Sequence, residues 1–273
     1  MLADVNNKKE DIFKVIKAAG NEILKVYQGD DFQVEIKSDE TPLTIADKQS
    51  NNVIINGLKV LFPEIPILSE ESKKVPYDER RNWKYLWVVD PLDGTKEFIK
   101  RNGEFSINLA LIENGKPIFG VLYIPVMRLL YYAGRGLGAY RVDKNKKIYS
   151  LKSKKSVSKE SSQNIGIIYS KSHYNSETRE YVQKIRKKYN HTNMISVGSA
   201  MKLTYLAEGK ADIYPRLGPT MEWDIAAGQI IVEETGGKVI DYYKRKPLIY
   251  NKEDLRNSWF LAFGHKVEQI QLI

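Results

Sequence analysis

The 273-residue chain is 42% hydrophobic and 28% charged, has a formal net charge of +9 and contains no cysteine. That composition fits a globular protein with one large core or two closely joined subdomains. It excludes disulfides, thiolate metal sites and a cysteine nucleophile, and it suits a reducing compartment. With no 18-residue apolar run, a membrane-spanning helix is excluded as well. Met1–Glu10 is polar and lacks an apolar h-region, which argues against a Sec signal and makes the cytoplasm the expected location. The basic balance favours an anionic partner, whether nucleic acid, membrane surface or polyphosphorylated small molecule. The lysines are nevertheless scattered, with local clusters at 152–159 and 184–188, as an ordinary solubilising surface would be.

In chain order, Ile12, Val15, Ile16, Ala19, Ile23, Val26 and Tyr27 recur at three- and four-residue spacing. They predict an amphipathic helix over residues 7–28, capped by Asn6 or Asn7 and ended by Gly29. Phe32–Ile36 alternates as a short strand and Lys37–Thr44 is a polar loop. A second helix is predicted from Thr44 or Ala46 to about Leu61, with Asp47 in its first turn. Ile65–Leu68 predicts a short strand ending in Glu70-Glu71-Ser72, and Lys73–Asn82 a charged loop.

The apolar run Tyr85–Val89 has the aromatic and β-branched content of a buried strand. Asp90-Pro91-Leu92-Asp93-Gly94-Thr95 follows, and Pro91 has no N–H to give a ladder, so the predicted strand stops there. Two carboxylates three residues apart, followed by Gly-Thr at the end of a rigid strand, can hold a hard cation and a phosphate together. The same residues also suit an ordinary strand-to-turn junction. A short helix over Thr95–Arg101 opens on this turn.

From Phe105 to Tyr149 the pattern is an antiparallel meander. Ser106–Ile112 and Pro117–Ile124 flank Asn114-Gly115, a hairpin signal, and Leu129–Ala133 and Gly138–Val142 continue it. Gly134-Arg135-Gly136-Leu137-Gly138 has the look of a glycine-rich nucleotide loop, but it lies between two strands and reads as a turn. Beyond Leu151 strands and helices alternate. Strands are predicted at Asn164–Tyr169, Met194–Val197, Ala211–Tyr214, Lys238–Ile240 and Ser258–Gly264. Helices are predicted at Ser176–Tyr189, Ser199–Glu208 and Trp223–Thr235, and after the last strand. The basic stretch Lys144–Lys159 is the expected boundary between an N-terminal α+β subdomain, 1–150, and a C-terminal α/β subdomain, 151–273.

Asp47, Glu70, Asp90, Asp93 and Asp224 all fall at ends of predicted elements, where α/β layers build their sites. Taken singly, each is an ordinary turn or first-turn acid. An all-carboxylate set with no cysteine and only three histidines favours Mg²⁺ over Zn²⁺. Gly94 and Thr95 could present backbone N–H groups to a phosphate, and the Thr95 hydroxyl could orient a water. His173, His191 and His265 lie in unrelated contexts, and no Ser-His-Asp or Cys-His set is present.

Trp87–Thr95, the upstream Glu70-Glu71-Ser72 and the downstream Glu222-Trp223-Asp224-Ile225-Ala226-Ala227 with Gly236-Gly237 resemble, in that order, the inositol monophosphatase superfamily of metal-dependent, lithium-sensitive phosphatases. The resemblance covers nearly the whole chain. Asp93-Gly94-Thr95-Lys96-Glu97-Phe98 is similar to the 3′(2′),5′-bisphosphate nucleotidase branch; inositol monophosphatases usually carry Thr-Asn where this chain has Lys96-Glu97. Lys37 with Thr41–Asp47, Ser170–His173, Gly198–Lys202 and Ala207–Arg216 also resemble that branch.

The resemblance implies a layered αβαβα fold of the α+β class, with the site between two subdomains. It implies that Glu70, Asp90 and the Leu92 carbonyl hold one Mg²⁺, that Asp90, Asp93 and Asp224 hold a second, and that Glu70 with Asp47 helps place a weaker third. Thr95 paired with Asp47, together with Glu70, would activate the water, and the Gly94 and Thr95 amides would bind the scissile phosphate. His173, Ser199, Lys202 and Arg216 would contact the nucleotide and its second phosphate, with Glu70, Leu92, Asp93 and Asp224 also lining the substrate. The implied activity is Mg²⁺-dependent hydrolysis of the 3′-phosphate of adenosine 3′,5′-bisphosphate, a phosphoric monoester hydrolysis serving sulfur assimilation and nucleotide recycling. The expected partner is a phosphorylated nucleotide and not nucleic acid. Weak peripheral contact with the cytoplasmic face of the inner membrane is allowed, and monomer and homodimer both stay open. An inositol or other sugar-phosphate phosphatase is the nearest alternative. A basic nucleic-acid-binding protein is the alternative of another class, and it predicts oligonucleotide affinity that falls steeply with salt.

Overall fold

The computed structural model describes residues 1–29, 31–36, 42–151, 164–170, 174–189 and 191–265. The first half runs α1 (Leu2–Asn7), α2 (Lys9–Gln28), β1 (Glu35–Ile36), β2 (Pro42–Leu43), α3 (Ile45–Leu61), β3 (Ile67–Ser69), α4 (Tyr77–Arg80), β4 (Tyr85–Asp93) and α5 (Thr95–Ile99). The meander follows as β5 (Ser106–Glu113), β6 (Lys116–Ile124), β7 (Leu129–Gly134), β8 (Gly138–Val142) and β9 (Ile148–Ser150). The second half contributes β10 (Asn164–Tyr169), α6 (Ser176–Lys188), β11 (His191–Ser196), α7 (Met201–Ala207), β12 (Ile213–Arg216), α8 (Glu222–Glu234), β13 (Lys238–Asp241) and β14 (Phe260–Phe263).

Among the described residues β3 to β9 form one sheet in sequence order, parallel at β3–β4 and antiparallel beyond. A second sheet has the order β11-β10-β12-β14-β13. Period-2 alternation explains how these sheets become the second and fourth of five layers. Along β4, Trp87 and Val89 face α2 and α3 through Ile12, Ile16, Ile54 and Leu58, whereas Leu86 and Val88 face α7 and α8. A strand covered on both faces reads as an unbroken apolar run, as Leu86–Val89 does. In the second sheet Phe260 and Ala262 face α8, while Leu261 and Phe263 face α6. The order is therefore helices, sheet, helices, sheet, helix, which is the α+β layering expected.

Helix α8 lies between the sheets, and its residues Ile225–Val232 are all buried, as a helix with apolar neighbours on every side must be. Its contact with β6 needs glycine there: a Cβ on Gly120 would stand 2.5 Å from Ile230 Cγ2 and 2.8 Å from the Ala227 carbonyl oxygen. This close seat fixes the first turn of α8, and with it Asp224, against the first sheet.

Several expectations are corrected. Strand β4 does not stop at Pro91 but continues to Asp93. Its register against β5 shifts between Asp90 and Asp93, so the proline sits in a bulge where no ladder N–H is required. Asn6 and Asn7 cap nothing; they belong to α1, which forms because Val5 buries completely against the core, and Lys8 precedes α2. Of the strand predicted at Phe32–Ile36, the described residues form β1 only at Glu35–Ile36, paired with Pro42–Leu43. The loop Lys73–Asn82 carries α4, anchored by the buried Arg80, whose guanidinium donates to the Val75, Lys252 and Glu253 carbonyls and to Asn251 Oδ1. The meander expected as far as Tyr149 ends in a fifth strand, β9, beyond the four given bounds; α7 begins at Met201 and not at Ser199, and the helix expected after the last strand falls outside the described residues.

Candidate active site

The bulge at the end of β4 solves a geometric problem. Residues three apart on a regular strand point to opposite faces. Here Asp90 stands opposite Asn108 and Asp93 opposite Ser106, so the extra residue on β4 returns both aspartates to one side. The Leu92 N–H closes the turn on Asp90 Oδ1 at 3.0 Å, and Ser50 Oγ donates to the Pro91 carbonyl at 2.8 Å. Gly94, with φ +94°, then turns the chain into α5, and a Cβ there would lie 3.0 Å from the Glu104 carbonyl.

Three further acids arrive from three elements. Parallel pairing sets Ser69 beside Val89, and the Glu70 N–H bonds to the Val89 carbonyl, which places Glu70 next to Asp90. Asp224 lies in the first turn of α8, where its Oδ2 accepts the Met221 N–H at 2.9 Å. One carboxylate oxygen each from Glu70, Asp90 and Asp224 lie within 4.8 Å of one another, a set able to hold a metal ion. Asp47, in the first turn of α3, is buried behind them. Its Oδ2 accepts the Thr44 N–H and hydroxyl at 2.7 and 2.6 Å, and its Oδ1 accepts the Thr95 hydroxyl at 3.3 Å. Thr95 Oγ1 also lies 3.3 Å from the Leu92 carbonyl, so one hydroxyl hydrogen is shared between two long contacts.

Burial, then the charges of Glu70, Asp93 and Asp224, push the Asp90 carboxyl well above the ordinary range. Burial, then Asp93 and Glu70, push Asp224 the same way. Carboxylates crowded in this manner are what a divalent cation relieves. A folded-state value above the unfolded one destabilises the metal-free fold as pH rises past the ordinary carboxylate range. The melting-temperature gain on adding Mg²⁺ is therefore expected to grow from pH 5 to pH 8; a gain that stays flat would count against these acids as the ion site.

The second half closes the other side of the same cavity, whose volume is about 510 Å³. Ser199, at φ +55°, donates its hydroxyl to Asp93 Oδ2 at 2.7 Å. Lys202, buried on α7, donates to the Ser199 carbonyl at 2.5 Å, and its Nζ lies 5.7 Å from the centre of the Tyr214 ring. Burial pushes the Lys202 ammonium down to about 8, with Asp93 opposing. Arg216, also buried, donates one Nη to the Pro219 carbonyl at 2.8 Å, while its Nε has no protein partner among the described residues.

The cavity thus gathers Glu70, Asp90, Leu92, Asp93, Gly94, Thr95, Ser199, Lys202, Arg216 and Asp224. Asp47 is reached through Thr95, and Asp93 stands beside the three-acid set without belonging to it. His173 lies outside the described residues, as do Lys37 and Thr41. Lys74, Tyr214 and Glu97 also line the cavity. Tyr214 could have been found from Arg216, because residues two apart on a strand share a face. Lys74 gave no local signal.

The inositol monophosphatase family model matches residues 8–269. The chain is 39% identical to the 3′(2′),5′-bisphosphate nucleotidase CysQ of Salmonella typhimurium over 88% of this chain and 96% of that one. It is also 39% identical to the Escherichia coli K12 protein of the same name, over 92% and 97%. The crystal structure of CysQ from Bacteroides thetaiotaomicron, a bacterial member of the inositol monophosphatase family, superposes with a TM-score of 0.84 at 40% identity, over 95% and 97% of the chains. An IMPase from Thermotoga maritima superposes with a TM-score of 0.73 at 24% identity, over 96% and 93%, a likeness of fold.

Proposed function

The chain belongs to the inositol monophosphatase family, and we propose that it hydrolyses the 3′-phosphate of adenosine 3′,5′-bisphosphate, giving AMP and inorganic phosphate with Mg²⁺. One observation carries the reading: a single cavity is lined both by the acids Glu70, Asp90 and Asp224 and by the buried cations Lys202 and Arg216. A substrate with two phosphates uses both sets, one phosphate at the ions and one at the buried cations. The bisphosphate nucleotidase names of relatives at 39% identity support the same choice.

Glu70, Asp90 and the Leu92 carbonyl would hold one Mg²⁺, Asp90, Asp93 and Asp224 a second, and Glu70 with Asp47 would help place a weaker third. Bound there, the metal supplies charge neutralisation for the phosphoryl oxygens. The Thr95 hydroxyl, its hydrogen leaning on buried Asp47, receives a hydrogen bond from the attacking water, and Glu70 orients that water from the other side. The new P–O bond forms as the bond to the 3′-oxygen breaks; one proton of the attacking water passes toward the Thr95–Asp47 pair and from there to solvent, and the departing 3′-oxygen takes its proton from a second solvent water. The Gly94 and Thr95 amides face the scissile phosphate, and Ser199, Lys202 and Arg216 hold the rest of the nucleotide, a role assigned also to His173.

No helix among the described residues is long and apolar enough to cross a membrane. A cytoplasmic setting and a subdomain boundary near residue 150 complete the proposal. The test is turnover of adenosine 3′,5′-bisphosphate and inositol 1-phosphate with and without Mg²⁺. Metal-dependent preference for the bisphosphate is expected; faster turnover of inositol 1-phosphate would overturn the nucleotide assignment.

A further inference from the structure

A line of buried polar side chains runs into Asp93 from strand β5. The register that sets Ser106 opposite Asp93 and Asn108 opposite Asp90 puts both β5 side chains on one face. Ser106 and Asn108 are 0% and 1% exposed. Asn108 Oδ1 lies 3.0 Å from Ser106 Oγ, Ser106 Oγ lies 2.6 Å from Ser199 Oγ, and Ser199 Oγ lies 2.7 Å from Asp93 Oδ2. The Ala200 N–H meets the same Asp93 oxygen at 2.5 Å. The left-handed backbone at Ser199 that makes this possible is held from outside, where Glu104 Oε2 accepts the Gly198 N–H at 2.7 Å.

Counting hydrogens gives the line a direction. An ionised carboxylate only accepts, so the Ser199 hydrogen points at Asp93. The single hydrogen of Ser106 must then fill the 2.6 Å contact to Ser199. None remains for the 3.0 Å contact with Asn108, unless the amide nitrogen, and not its oxygen, faces Ser106. The two ends of an amide have the same shape and are told apart by their hydrogen bonds. The alternative orientation leaves Asn108 Nδ2 buried with no partner among the described residues, an expensive place for a donor.

We infer that Asn108, Ser106 and Ser199 form a one-way hydrogen-bond relay that donates into Asp93 Oδ2 and turns its Oδ1 toward the metal ions. The relay rests on the reading of Asp93 as an ion ligand, and its members other than Ser199 are positioning residues that touch neither ion nor substrate. Two neutral donors on one oxygen fix the carboxylate rotamer without cancelling its charge. Groups that orient a metal ligand in this way typically change metal affinity about 10–100-fold when removed.

The experiment is Mn²⁺ titration calorimetry on the substrate-free protein, comparing the unmodified chain with S106A, S106T, N108A and D93N, with melting temperature followed alongside. Ser106→Ala is expected to weaken ion binding about tenfold. Ser106→Thr, which keeps the hydroxyl, is expected to restore most of it. Asn108→Ala is expected to weaken it by a smaller factor in the same direction. If the Asn108 oxygen instead drew hydrogen from Ser106, its removal would leave affinity unchanged or improve it, and that result would refute the relay. Unchanged affinity in Ser106→Ala would refute it as well. Should Asp93→Asn leave ion binding intact, the ligand reading itself fails; should Asp93→Asn lose an ion while Ser106→Ala does not, only the relay fails. Where a variant melts too low to titrate, the Ser106→Thr and Asn108→Ala pair decides alone.

Discussion

Asp90→Asn is expected to lower kcat/KM for the bisphosphate by at least about a thousandfold while raising the melting temperature of the metal-free protein. The two effects have one origin. Asp90 is 1% exposed and faces the charges of Glu70, Asp93 and Asp224. In the metal-free protein its ionisation is unfavourable, and a neutral isostere removes that repulsion. Asparagine keeps an oxygen for the Leu92 N–H, so the bulge that aims the site survives. With metal present the balance reverses, because the lost charge is the one that both proposed ion positions share. A deficit on the order of 4 kcal/mol in the transition state is about a thousandfold in rate. Activity and melting in a chelator, with and without added Mg²⁺, are the measurements. Retention of a tenth of the activity would sink the shared-ligand assignment. A fall in metal-free melting temperature would show that the carboxylate stabilises the fold and does not strain it.

The sequence reported the layers because periodicity survives into the fold. Leu86–Val89 is unbroken in hydrophobicity since both faces of β4 are covered, and the helical spacing of Ile12, Ile16, Ala19 and Ile23 marks the face that α2 buries. The acids were legible for a related reason: they sit at element ends, which punctuation residues mark. Pro91 was misleading there. It marks a bulge inside a strand and not the strand's end, and only pairing with β5 can tell the two apart. Arg80 and Glu104 were silent because their partners, Lys252 with Glu253 and Gly198, are far along the chain and are brought near only by packing. The relay through Ser106 and Asn108 was hidden similarly. Each looks like a polar residue in a meander strand, and its meaning depends on Ser199 arriving from the second half of the chain.

Lys202→Met is expected to raise KM for adenosine 3′,5′-bisphosphate about 100-fold, leave kcat within a few-fold, and barely change hydrolysis of 3′-AMP, which lacks the second phosphate. A buried ammonium facing a phosphate makes a charge-assisted contact, and 100-fold corresponds to about 2.7 kcal/mol. The pH profile distinguishes this contact from a general loss of shape. Burial pushes Lys202 down to about 8, so its charge is present below that pH and lost above it. The kcat/KM for the bisphosphate should therefore decline as pH rises through about 8, and the methionine variant should lack that limb. Arg216→Met, which removes the other buried cation and leaves Lys202 untouched, should raise KM while leaving the limb in place. The stability sign runs the other way from that of a surface lysine. The folded value lies below the unfolded one, so holding the ammonium destabilises the fold below pH 8, and that penalty fades as pH climbs toward 10.5. Methionine removes the penalty but leaves the Ser199 and Val197 carbonyls without the ammonium they accept from. Near-neutral melting is the balanced outcome, against which a large KM effect stands as recognition. Equal losses on the bisphosphate and on 3′-AMP would place Lys202 at the scissile phosphate and leave it without a part in recognising the second phosphate.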